Sequence, residues 1–502
     1  MSLLLRSRII MAGAIVVAVW LAWQLATGDY FWPVLATVVT LGASLVIAFR
    51  VSLDAIVIGG LIFGYLVGNR GFAQLMPSVQ LPLLPAEIGL LLAGGWLAVQ
   101  CAQQRTLPFR RNLLNGCVLA WIVAGTVRVL FDVGPFGFVA LRDYAMIYYA
   151  SFFFIAQHVA GGESRGFLLR ALVAASVVQP IAAALTEVFP DFFLNQFAVR
   201  GVPLIYFKGD LALTFTAVSA LVLLLNTRGV HRWWAWPLAT VELLYVIAGE
   251  NRASMLGAVV ALTWLSLSTA RRIVGIQVAS LAAALLVVSG LALLTDNPWA
   301  QRKFDATVER VASIGDLMGR GTYVTEESSM KGDNNRFRAV WWRTVVQDTL
   351  QQNPVFGLGF GYDLARNFLK EYNPDMADEF SARSPHSIVV STIGRMGLVG
   401  LAVLACLVAL MVVRTWRVVR DPEVEFPTLG LWAAVWVIFV SACLGVVLEG
   451  PMGAVVFWSL LGIANAPRSA DPDRNTLESV EEPGAALHPA ARETDLEASP
   501  SR

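Results

Sequence analysis

Four stretches carry the side chains best suited to chemistry. In Gly249-Glu250-Asn251-Arg252-Ala253-Ser254, Arg252 stands where one apolar run ends and the next begins. In Asn334-Asn335-Arg336-Phe337-Arg338-Ala339-Val340-Trp341-Trp342-Arg343, helical spacing puts Arg336 and Arg343 on one face and Arg338 with Trp342 on another. A proline and three alternate glycines, Gly357, Gly359 and Gly361, follow in Asn353 to Gly361. Finally, Ser384-Pro385-His386-Ser387 opens an apolar run that soon contains Arg395. Guanidinium groups donate paired hydrogen bonds in a fixed fork, which suits phosphate oxygens. A histidine near its ordinary pKa accepts a hydroxyl proton at neutral pH. Together these groups could hold an anionic leaving group and activate an attacking hydroxyl. The glycines are not a dinucleotide fingerprint, because they follow a helix instead of joining a strand to one. They fit a tight reversal whose backbone N–H groups could face an anion.

The elements that position these groups are membrane spans. The chain has 502 residues, 57% hydrophobic and only 15% charged, too apolar for a soluble protein of this length. A span needs roughly 20 apolar residues, and fourteen candidate runs occur, including Ile9 to Ala26, Phe31 to Phe49, Leu53 to Gly68, Phe138 to Ala160, Ser387 to Val413, Leu429 to Leu448 and Pro451 to Asn465. The expected fold is an all-α integral membrane protein with about 12–14 transmembrane helices. Arginines alternate between connections: Arg6 and Arg8, Arg50, Arg110 and Arg111, Arg165, Arg271 and Arg272, and Arg414 with Arg417 and Arg420 all fall on one side. By the positive-inside rule that side is the cytoplasm, with both termini on it. This divides the chain into a transmembrane bundle (1–294), a partly helical extracytoplasmic loop domain (295–385), C-terminal transmembrane helices (386–466) and a tail (467–502) whose composition predicts disorder. The first apolar run reads as a retained span.

Ionisable residues inside spans are costly and mark function by default. Arg128, Arg142, Asp143, Glu187, Arg252, Arg395 and Glu449 fall near the outer boundary, and Glu242 lies nearer the middle. The expectation is a polar, mostly cationic outer cavity; local compensation, as between adjacent Arg142 and Asp143, is the alternative. His386 is the histidine placed on the outer side, since His158 and His231 fall near the inner side and His488 in the tail. A net charge near zero suggests no nucleic-acid partner. Cys101, Cys117, Cys406 and Cys443 lie in or beside apolar runs, so no disulfide framework is expected. The outer loop offers no Asp-x-Asp pair and no His/Cys cluster for a metal.

These stretches, in this order, resemble the O-antigen ligase and Wzy-type O-antigen polymerase superfamily. The resemblance covers roughly Glu250 to Gly400 and rests on Arg252-Ala253-Ser254, Arg338 and Trp342, Pro354 to Gly361, and His386; Leu141-Arg142-Asp143-Tyr144 is a weaker similarity. Many members carry His-Asn where this chain has His386-Ser387. The resemblance implies an inverting, metal-independent glycosyltransferase without a cofactor, acting in the bacterial inner membrane on its periplasmic or exterior face. The donor would be an undecaprenyl-diphosphate-linked glycan, and the acceptor a glycan, a second lipid-linked unit or lipid A-core. Carried onto this chain, Arg252 and Arg338 would hold the diphosphate and His386 would activate the acceptor. Arg336, Arg343, Arg142, Arg395, Gly357, Gly359 and Gly361 would contribute to substrate binding. Membrane lipids, a chain-length regulator and a flippase are the implied partners. The competing class is a transporter or flippase of lipid-linked oligosaccharide, against which the large outer loop and the lack of a recognisable inverted repeat both weigh.

Overall fold

The computed structural model describes residues 3–28, 51–76, 83–105, 107, 109–162, 164–207, 209–226, 232–249, 251–294, 326–372 and 383–467, with positions 32, 33, 36, 37, 40 and 309. Most of the expected run Phe31 to Phe49, the start of the outer loop and nearly all of the tail lie outside these residues. Residues 1–466 form one compact unit.

The unit is helical. In order come α1 (Leu3–Ala26), α2 (Leu53–Ala73), α3 (Pro85–Gln104), α4 (Leu113–Phe136), α5 (Phe138–Asp143), α6 (Ala145–Tyr148), α7 (Ser151–Ala160) and α8 (Arg165–Val188). A π-turn at Phe192–Gln196 and a small hairpin, β1 (Ala198–Val199) with β2 (Val202–Pro203), lead to α9 (Gly209–Asn226), α10 (Arg232–Ala248), α11 (Arg252–Ser266) and α12 (Arg271–Leu294). Then follow α13 (Glu326–Gln352), α14 (Arg366–Tyr372), α15 (Ile388–Arg420), α16 (Phe426–Cys443) and α17 (Pro451–Ala464). Among the described residues nine stretches are long and apolar enough to cross a membrane, and four shorter apolar helices accompany them. The protein is thus an all-α integral membrane protein.

Local chemistry starts the helices where the site needs them. Asn112, Asn251 and Ser387 each accept a backbone N–H at a helix start, and prolines occupy the first turn of α3, α16 and α17. α9 and α16 are buried almost all round and form the bundle's centre, with α11 packed on α16 and α17 on α7. At one end Asn115 donates to Gln157 at 2.7 Å, Asn465 to Asn115 at 3.0 Å, and Arg165 to Thr428 at 3.1 Å. The candidate site lies at the opposite end.

Several expected spans are interrupted. Phe138 to Ala160 is three short helices with turns at Tyr144 and at Tyr149 and Ala150. α15 breaks at Gly397 (φ 62, ψ −151) and α2 at Asn69 (φ 51, ψ −123). Leu429 to Leu448 stops being helical at Cys443, and residues 444–450 form a connection. Such breaks in a span are tolerated where protein surrounds the freed backbone, and Gly397 and Asn69 are both buried.

Candidate active site

α13 organises the site. Its inner face buries Trp341 and Val345 against Leu364, Phe368 and Leu369, a small core that also includes Val390 of α15. Trp341 stacks on Phe368 with ring centres 5.3 Å apart, and its indole donates to the Leu364 carbonyl at 2.8 Å. The Trp342 indole donates to the Pro385 carbonyl at 2.5 Å, and Arg338 Nη1 donates to the Leu444 carbonyl at 2.9 Å. Arg336 and Arg343 are exposed on the other face. The two-faced helix expected from the spacing is present.

His386 lies one residue beyond the carbonyl that Trp342 holds. Its backbone is left-handed (φ 58), which histidine adopts more readily than most residues but at some cost. Its N–H donates to Ser384 Oγ at 3.2 Å, and its ring lies 6.0 Å from that of Trp341. Ser387 then caps α15. The histidine is therefore held between a strained turn and a helix start.

Arg252 is the first residue of α11 and is half-buried. Asn251 ties that helix start to α9, donating to the Asp210 carbonyl at 2.6 Å, and the buried Ser254 bonds Thr214 at 2.9 Å. The Asp210 carboxylate also lies near enough to act on Arg338 through its charge. Burial lowers the Arg338 guanidinium's pKa, and the Asp210 carboxylate partly offsets this. Arg338 Nε is buried with no acceptor among the described residues, so its fork is only partly engaged. Asp210 thereby links the helix starts that carry Arg252 to the helix that carries Arg338.

The glycine run closes a joint. Gly357 N–H donates to Asn353, Leu358 N–H to the Gly394 carbonyl, Phe360 N–H to Asp132 and Gly361 N–H to Asp143. The N–H groups expected to face an anion meet the protein's own carbonyls and carboxylates instead. A Cβ on Gly357 would come within 2.6 Å of Gly397 N, and one on Gly359 within 2.5 Å of Asp132.

The expected cationic cavity is charge-compensated. Arg128 pairs with Asp132 at 3.1 Å, and buried Arg395 with Asp143 at 2.8 Å. Asp132 stands four residues after Arg128 on one helix, a spacing that signals such a pair. Arg395 is therefore part of the scaffold, not an open anion site. Arg142 stays exposed, with Asp143 at 3.5 Å. Arg383, which sequence reasoning passed over, donates to the Gly361 carbonyl. Burial raises the Glu449 carboxyl's pKa, opposed by hydrogen bonds from Ser384 and Ser391 and by the charge of Arg395.

Two cavities open near these groups. One, of about 520 Å³, is lined by Asp210, Gly249, Asn251, Tyr206, Phe193 and Leu213 among others. The second, of about 850 Å³, has Arg142, Asp143, Arg383, Ser384, Arg395 and Glu449 at its polar end.

No curated protein matches the chain. Residues 238–405, however, match the family model described as O-antigen ligase. That segment contains Arg252, Arg338, the glycine joint and His386, and in it the chain is similar to the O-antigen ligase family.

Proposed function

We propose that the protein transfers a glycan from an undecaprenyl-diphosphate-linked donor to a glycan or lipid-linked acceptor on the outer face of a bacterial inner membrane. The observation that carries this reading is the convergence on α13. Arg338 lies within the electrostatic reach of Asp210, whose carbonyl takes a hydrogen bond from Asn251 at the Arg252 helix start, and one helical turn further on, about 5.4 Å, Trp341 and Trp342 hold the turn of His386. A diphosphate clamp and a base held from neighbouring turns of one helix suit such a transfer.

In the reaction the acceptor oxygen attacks the anomeric carbon from the face opposite the diphosphate. The bond from that carbon to the phosphate oxygen breaks, and its electron pair leaves on the diphosphate. Arg252 and Arg338 stabilise the charge that develops there. The acceptor proton passes to the His386 ring, and the anomeric centre inverts. No separate energy source is needed, because the donor is already activated.

The test is turnover and donor affinity of purified protein in lipid. His386→Ala should lower turnover by about 10² to 10⁴ while donor affinity survives. Arg252→Lys should stay impaired, because it keeps the charge and loses the fork. Near-normal turnover of His386→Ala at saturating substrates refutes the base role. Export of intact lipid-linked donor without transfer would instead establish the flippase alternative.

A further inference from the structure

The second cavity differs in kind from a diphosphate site. It is bounded by the start of α3, by α5 and α6, by residues 383–384 and by 449–451. Its polar groups include three arginines, Arg142, Arg383 and Arg395, and three carboxylates, Glu87, Asp143 and Glu449. A diphosphate needs a surplus of positive charge, and this lining has none. A neutral sugar needs neighbouring donors and acceptors for hydroxyls that do both, and carboxylates, guanidinium groups and phenols supply them. Tyr148 and Tyr149 both donate to Glu87 Oε1, so an acceptor oxygen and two aromatic rings stand together on one wall.

Two of the arginines keep donors in reserve. The Arg142 side chain is 58% exposed, and its Asp143 partner lies at 3.5 Å, the edge of hydrogen-bonding range. Arg383 Nε is buried without an acceptor among the described residues. The lining also has apolar side chains, Leu83, Leu84, Phe138, Leu141 and Met146. Phe138 and Leu141 are also exposed on the outer surface of the protein, so the cavity joins a polar floor to an apolar flank.

The position completes the argument. Ser384 lines this cavity and accepts the His386 N–H, whereas Asp210 lines the other cavity. The His386 turn therefore adjoins the charge-balanced cavity through Ser384, while Asp210, which acts on Arg338, belongs to the other cavity. We infer that the cavity floored by Arg142, Arg383 and Glu87 seats the neutral terminal sugar of the acceptor, with its apolar flank taking the acceptor's lipid portion. This rests on the transfer reaction proposed above.

The test reads binding without turnover, so a failure of the transfer reading does not obscure it. In full-length protein with its four cysteines replaced, reconstituted in lipid nanodiscs, a single cysteine is placed at Leu141 or, in the other cavity, at Leu194. Maleimide labelling is then followed with octyl glucoside below its micelle concentration or with geranylgeranyl diphosphate. The glycoside should slow labelling at Leu141→Cys several-fold and leave Leu194→Cys unchanged. Adding Arg142→Ala should raise the protecting glycoside concentration about ten-fold, and Arg142→Lys should restore part of the loss. Protection of Leu141→Cys by the diphosphate as strong as by the glycoside, or by neither probe, overturns the inference. Protection by the glycoside that is indifferent to Arg142 overturns it as well, because it would mean partitioning into the apolar flank alone.

Discussion

Replacing Gly397 by alanine strikes the joint between the outer turn and α15. Gly397 has φ 62 and ψ −151, a region essentially reserved for glycine, and placing a side chain there costs about 1–3 kcal/mol. The added Cβ would also lie 2.5 Å from Gly357 N and from the Val355 carbonyl. Both are backbone atoms and cannot step aside like the end of a side chain. They are fixed by hydrogen bonds from Leu358 N–H to Gly394 at 2.7 Å, Leu398 N–H to Pro354 at 2.9 Å and Val399 N–H to Val355 at 3.1 Å. Losing two of these adds about 1 kcal/mol each, so the expected destabilisation is about 3 to 5 kcal/mol. Gly357→Ala meets Gly397 N and Met396 N at 2.6 Å from the other side. Once either glycine has forced the backbones apart, the second substitution should cost less, and the double variant should fall short of the sum. Gly290→Ala, with nothing within 4 Å of the added carbon, is the control. Equilibrium unfolding in mixed micelles, followed by tryptophan fluorescence, gives the free energies. A Gly397→Ala protein within about 1 kcal/mol of the parent would refute the crossing as described, as would additivity with Gly357→Ala.

Asp143→Asn removes the ion-pair partner of buried Arg395, leaving it only the more distant Glu449, and should destabilise by about 3 kcal/mol; a loss below about 1 kcal/mol in the same unfolding assay would mean that Arg395 reaches solvent. For Glu449 the folded pKa lies above the ordinary 4.5, so the folded state binds more protons than the unfolded chain between those two values. The parent should lose stability as pH rises through that window while Glu449→Gln does not, and parallel thermal midpoints for the two proteins would count against it. Arg366 is exposed on α14, and if the outer loop is extracytoplasmic, Arg366→Cys should react with an impermeant maleimide in intact cells; labelling that needs a broken inner membrane places the loop in the cytoplasm.

What could be read from the sequence is what depends on local periodicity. Apolar run length located the spans, and the spacing of Arg336, Arg338, Trp342 and Arg343 divided α13 into two faces, because i, i+4 and i, i+7 geometry is internal to one helix. The backbone breaks at Asn69, just past the expected run Leu53 to Gly68, and at Gly397 escaped, since both come from contacts made elsewhere. Asn69 bridges to Tyr206, and Gly397 crosses Gly357. The acids beside Arg395 and Arg338 escaped for the same reason. Asp143 and Asp210 reach them from helices far away in sequence, and no single-chain spacing encodes that distance. The glycine run was recognised as a reversal, but its partners are carboxylates of α4 and α5, so its backbone donors serve the fold.

This division changes how the arginines near the outer boundary act. Arg128, Arg395 and Arg383 each find an acceptor on the protein itself, at Asp132, Asp143 and the Gly361 carbonyl. All three converge on the segment 357–361 or on the acids that hold it, since Arg128 Nη2 also donates to the Gly357 carbonyl at 3.3 Å. That segment is locked to α15 immediately after Gly394, one helical stretch from the His386 turn. Arg128 and Arg395, through their ion pairs, thus hold the joint that adjoins the His386 turn. Arg338 is different, with one edge spent on Leu444 and another buried without a partner among the described residues. Removing a scaffold arginine should therefore depress turnover and stability together, whereas removing Arg338 should weaken donor affinity in a protein that still folds. Purified Arg128→Gln and Arg338→Gln, compared for unfolding free energy and donor affinity, separate the two classes. Equal losses of stability with donor affinity intact in both would show that no such sorting exists.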